Sequence, residues 1–113
     1  MTADPAPLGA DPIGADALGA PLGPSATFVQ LSSGFCAPCR ATRRVLERVV
    51  ATGDGVAHVE VDVADRPDLA ARFAVTQTPT VVVLDAEGVP VARATGVPTL
   101  AQARAAVAAL AAG

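Results

Sequence analysis

ATFVQLSSGFCAPCRATRRVLERVVAT, residues 26–52, is the stretch that decides the fold. Ala26 to Ser32 mixes β-branched and aromatic side chains over the length of a strand and ends at Ser32-Ser33-Gly34. From Cys36 to Thr52, Val45, Leu46, Val49 and Val50 recur at helical spacing. Arg40, Arg44 and Arg48 fall on the opposite side, four residues apart, and read as a solvated face rather than an anionic docking site. Arg43 is spaced to pair with Glu47. Between strand and helix stand the only two cysteines of the chain, Cys36 and Cys39.

Outward from this stretch the pattern alternates between the two kinds of element. Gly53 suits a helix C-cap and Gly55 helps the chain reverse. Val56 to Val63 then alternates, with Val59, Val61 and Val63 on one face and His58, Glu60 and Asp62 on the other. A short helix follows to about Phe73, with Asp65 as the expected N-cap and Pro67 tolerated in the first turn. Thr80 to Leu84 is a continuous apolar run, the mark of a strand buried on both faces. Asp85-Ala86-Glu87-Gly88 reads as a turn, and Val89 to Thr95 returns as its partner strand. After Gly96 and Pro98, Thr99 and Gln102 form a capping box ahead of an Ala-rich helix to about Ala112. The first strand, helix and strand make a βαβ unit with parallel strands, whereas the last two strands form an antiparallel hairpin. The fold class is therefore α/β: a central four-stranded mixed sheet flanked by three helices.

Two intervening residues let the Cys36 and Cys39 thiols face each other across one helical turn. At a helix N-terminus the first cysteine sits at the positive end of the dipole, which favours the thiolate that attacks in thiol–disulfide exchange. Pro38 stiffens that turn without losing a hydrogen bond. A lone Cys-x-x-Cys also fits half of a zinc site, but tetrahedral closure needs two more ligands and His58 is the only histidine. A structural disulfide closing so short a loop would stabilise little. Position sharpens the reading, because the pair lies between strand and helix of a βαβ unit.

Composition narrows the rest. The chain has 113 residues, 51% of them hydrophobic and 17% charged, enough to build one modest core. Its net charge is −3, its pI is near 4.8, and its three aromatic residues are Phe28, Phe35 and Phe73. These values argue against a nucleic-acid partner. No apolar run nears the ~18 residues of a membrane span. The first basic residue is Arg40, so a usual signal peptide is not expected. Residues 1–24 carry Asp4, Asp11 and Asp16 and no base, and hold a faint repeat: Leu8-Gly9-Ala10-Asp11, Ile13-Gly14-Ala15-Asp16, Leu18-Gly19-Ala20-Pro21. They are expected to form a flexible tail ahead of a domain over 25–113, the alternative being that Leu18 and Leu22 dock on it.

With these pieces in order, residues 25–112 resemble the thioredoxin family. Cys36-Ala37-Pro38-Cys39 is similar to the family's Cys-Gly-Pro-Cys, and Phe35 stands where a Trp is usual. Val61-Asp62 resembles the end of the strand after the active-site helix. Thr78-Pro79-Thr80 resembles the active-site loop, and Gly96 the glycine that keeps the substrate groove open. The resemblance implies a minimal thioredoxin-like fold, with Cys36 as nucleophile and Cys39 as resolving thiol. It also implies a cis Pro79 that turns the Thr78 backbone toward the thiols. Phe35, Thr78, Gly96 and Val97 would line the substrate surface. The expected partners are protein disulfides and a protein or small-thiol reductant such as a thioredoxin reductase. No metal or organic cofactor is implied, and a cytoplasmic monomer is expected.

Two residues depart from the family pattern. Gln30 stands where a buried Asp is usual, and His58 where a Lys is usual. His58 is either an ordinary polar-face residue or a proton shuttle for Cys39, directly or through water. The missing Asp and the Gly/Pro-rich segment before Ala26 keep two other functions in view. One is an extracytoplasmic or membrane-tethered oxidoreductase; the other is a binding module with weak redox activity.

Overall fold

The computed structural model describes residues 1–3, 8, 9 and 11–112. Strands β1 (Thr2–Ala3), β2 (Ala26–Ser32), β3 (Val56–Asp62), β4 (Thr80–Asp85) and β5 (Pro90–Thr95) form one sheet in the order β1-β5-β4-β2-β3. Helices are α1 (Ala15–Leu18), α2 (Ala37–Thr52), α3 (Pro67–Arg72) and α4 (Leu100–Ala112). β2 and β3 run parallel on either side of α2, and every other pairing is antiparallel. The expected mixed sheet of four strands is present as β2 to β5. A two-residue fifth strand joins it at β5, and the one-turn α1 raises the helix count from three to four. Both additions come from the first 24 residues.

The period-2 pattern of each strand sorts its side chains onto two faces. One face holds Phe28, Val81 and Val83, covered by Leu46 and Val49 of α2 and Ala103 of α4. The other holds Val29, Leu31, Val61, Val82 and Leu84 under Leu69, Phe73, Ile13 and Leu18. β4 contributes to both layers, so its apolar run needs no polar alternate positions.

Residues 11–23 depart from the expected tail. Ile13 and Leu18 are 0% and 2% exposed, inside the core, with Leu22 packed at its margin. The backbone is tied as well. Ile13 N–H donates to Gly88 C=O at 2.9 Å, and Arg72 and Arg66 reach the carbonyls of Asp11 and Ala17. Gly88, at φ 84°, is required for this crossing, because a Cβ there would lie 2.3 Å from the Ile13 oxygen. The apolar residues at 13, 18 and 22 are what the composition of the segment conceals. Asp4, Ala10 and Gly113, which belong to the tail, repeat and domain assignments, lie outside the described residues.

Local signals differ in how well they survive. The capping box forms in both directions, Gln102 N–H to Thr99 Oγ1 at 3.0 Å and Thr99 N–H to Gln102 Oε1 at 2.9 Å. Asp65 does not cap α3. Pro67 is the first helical residue, which makes Arg66 the N-cap, and no side chain caps there. Nor does Arg43 turn to Glu47: it makes a two-point pair with Glu60 across to β3. Arg40, Arg44 and Arg48 are exposed.

Candidate active site

The site is built where β2 ends and α2 begins. Cys36 is the N-cap of α2 in extended conformation, with Pro38 in the first turn. Its sulfur accepts the N–H of Cys39 at 3.1 Å, so the first cysteine caps the helix that carries the second. The two are joined in a disulfide with Cα atoms 5.1 Å apart. They differ in access: Cys36 is half-buried, whereas Cys39 is buried. Phe35, directly before the pair, is fully exposed and has a left-handed backbone at φ 55°. Burial does not explain a large apolar side chain held in that position.

In the loop between α3 and β4 the Thr78–Pro79 peptide is cis. Three bonds from three places hold this loop. Gly96 N–H donates to Pro79 C=O at 3.1 Å, and Thr80 Oγ1 donates to Gln77 C=O at 2.7 Å. The hydroxyls of Thr78 and Ser33 meet at 2.8 Å, joining the loop to the segment that leads into Cys36. Gly96 lies at φ 84°, a backbone only glycine adopts freely, and a Cβ there would project into open space. Val97 is exposed, and its carbonyl accepts the amino terminus of Met1 at 2.9 Å.

Behind Cys39 lies a partly buried polar network centred on Gln30, which is itself 0% exposed. Its Nε2 donates to Cys39 C=O at 2.7 Å and to Ser32 Oγ at 3.1 Å, while its Oε1 lies 2.9 Å from His58 Nε2. A carbonyl can only accept, so the amide orientation is fixed and His58 Nε2 must carry the proton. Ser32 Oγ in turn donates a hydrogen bond to Glu60 Oε2 at 2.9 Å. Arg43 closes the chain on Glu60, at 2.5 Å from Nε and 2.9 Å from Nη2. The Arg43 hydrogen bond, with help from Ser32, holds the Glu60 carboxyl below the ordinary range. Burial pushes the His58 imidazole below its usual value, against the pull of Glu60. Cys36, Cys39, Arg43, Glu60, Asp62 and Asp65 line one open polar cavity of about 420 Å³.

The residues expected from sequence thus fall into two groups. Cys36, Cys39, Phe35 and Pro38 share the α2 terminus, and Gln30 and His58 stand behind it in direct contact with each other. Thr78, Pro79, Gly96 and Val97 lie on two loops joined by the Gly96–Pro79 hydrogen bond, the first of them tied to Ser33 through Thr78. Sequence reasoning missed Ser32, Ser33, Arg43 and Glu60. The signal for Glu60 was present: it shares a face of β3 with His58, and the parallel register sets it beside Gln30. Among the described residues no group of three or more His, Cys, Asp or Glu is placed to hold a metal ion.

A sheet of this order, with a Cys-x-x-Cys disulfide at a helix N-terminus and a cis-proline ahead of β4, defines the thioredoxin-like class of folds. The family model for thioredoxin matches residues 24–109, and the chain belongs to the thioredoxin family. Thioredoxins of Staphylococcus saprophyticus and Staphylococcus haemolyticus are each 36% identical to it over 70 residues. That match covers 61% of this chain and 66% of each relative, just under two thirds of their length. Chloroplastic thioredoxin z superposes with a TM-score of 0.75 at 25% identity, covering 96% of this chain and 99% of its own. Thioredoxin of Fasciola hepatica gives 0.67 at 25% identity, over 77% and 82% of the two chains.

Proposed function

We propose that this protein is a dithiol–disulfide oxidoreductase that reduces disulfides of other proteins. The observation that carries the reading is the unequal access of two cysteines already joined in a disulfide, at a helix N-terminus. In the reduced protein the accessible Cys36 thiolate attacks one sulfur of a substrate disulfide. That S–S bond breaks, the other substrate sulfur leaves as a thiolate and takes a proton from water, and a mixed disulfide remains. Cys39 then loses its proton and attacks the Cys36 sulfur. The second substrate thiol is released, and the Cys36–Cys39 disulfide forms. Two electrons pass from the protein dithiol to the substrate, and a reductase or small thiol must return them. Family membership and the helix-capping contact to the Cys36 sulfur support the assignment of Cys36 as nucleophile.

The substrate segment lies along Phe35, Thr78 and Pro79, with Gly96 and Val97 at its far side. Phe35 supplies apolar contact, and the Thr78 backbone supplies hydrogen bonds. Gln30 holds the Cys39 carbonyl, and His58 orients Gln30. A proton cannot pass from Cys39 to His58 Nε2, because that nitrogen already donates to Gln30; an uptake by His58 takes place at Nδ1. The protein acts as a monomer in a reducing compartment such as the cytoplasm, and none of its described helices is long and apolar enough to cross a membrane. Reduction of a protein disulfide by dithiothreitol tests the function. The wild type accelerates it, and Cys36→Ser is expected to abolish the acceleration. A Cys36→Ser protein as active as the wild type would overturn the assignment.

A further inference from the structure

We infer that Ser33 is a positioning residue that sets the cleft between Cys36 and the Thr78–Pro79 loop, and so governs the reaction with protein disulfides in particular. The inference rests on the proposed function. Of the three bonds on the loop, the one from Thr80 lies within it and the one from Gly96 comes from the end of β5. Beyond the end of the β2–β4 ladder at Leu31 and Thr80, the Ser33–Thr78 hydroxyl pair, at 2.8 Å, is the side-chain bond among the described residues that joins it to the segment that carries the cysteines.

That segment needs such a tie. Gly34 meets nothing where a side chain would begin, and Phe35 is fully exposed at φ 55°. Neither fixes the path into Cys36. Going back from Cys36, Ser33 is therefore the first residue whose side chain holds the backbone in place. Its neighbour Ser32 points to the other side of the sheet end, to Glu60. Alternation along the chain thus sends one serine to the network behind Cys39 and the next to the loop in front.

A protein disulfide must be gripped by the Thr78 backbone while Cys36 reaches one of its sulfurs, so both sides of the cleft have to hold their separation. A small disulfide needs only the Cys36 sulfur. Loss of the hydroxyl bridge should therefore act on the two substrates unequally.

The test is Ser33→Ala, assayed for kcat/KM with a protein disulfide and for the second-order rate with a small aromatic disulfide such as dithiobis-nitrobenzoate. The ratio of the two rates is expected to fall about fivefold, the size of one lost neutral hydrogen bond. Ser33→Thr keeps the hydroxyl and should restore the ratio. Thr78→Val removes the other partner, so it should lower the ratio by a similar factor, and the double variant should add nothing further. An unchanged ratio, equal losses on both substrates, or additive losses in the double variant would each overturn the inference. A wild type inert toward both disulfides would overturn the proposed function itself, and the inference with it.

Discussion

A histidine drawn partly out of water favours its neutral form, and the half-buried His58 shows what that does to stability. Burial lowers its pKa in the folded protein from an ordinary value near 6.5. The unfolded chain therefore binds a proton more readily than the folded one, and stability falls as pH drops below about 6.5 toward the folded value. Glu60 acts in a separate window. Its carboxyl is held below the ordinary 4.5 by Arg43, so its contribution is present above that value and lost at lower pH. Urea unfolding over a pH series should show both falls. His58→Gln should remove the upper one and leave the lower. Persistence of the upper fall in the variant would mean that another group carries it. None of this was legible from the lone His58 in the sequence, where its role depends on a neighbour 28 positions away. The absence of the usual Asp at position 30 was legible; that a fully bonded amide replaces it was not.

Elements were read best where the signal was local. The limits of β2 follow from its own seven residues, and α4 from a capping box that forms as written. β4 was recognisable because an apolar run that faces two cores leaves no polar positions. Errors came where a tertiary partner outbid a local one. Glu47 lost Arg43 to Glu60, since a planar guanidinium gains two aligned bonds from a carboxylate on the adjacent strand. Asp65 lost the cap of α3 because Pro67 fixes where that helix starts. The same limit hid the Ser33–Thr78 pair, which links residues 45 positions apart. Residue type alone gives a hydroxyl no partner.

At the scale of the whole molecule, the first 24 residues carry more than their composition announces. Few large side chains stand among their Ala, Gly and Pro residues, yet Ile13 and Leu18 close the core over Phe73 and Leu84. We take the folded unit to include residues 11–23 rather than to begin at 25. Ile13→Ala should then cost about 2–5 kcal/mol in urea unfolding, as a core truncation does. A loss below about 0.5 kcal/mol, the surface range, would mean the segment is a tail after all. The central claim is that the two cysteines divide the work, with Cys36 bonding to the substrate and Cys39 releasing it. The most direct measurement is to react reduced Cys39→Ser with a protein disulfide and locate the linkage by mass spectrometry. A stable mixed disulfide through Cys36 is the predicted result. No adduct from a folded, reduced Cys39→Ser protein would contradict it.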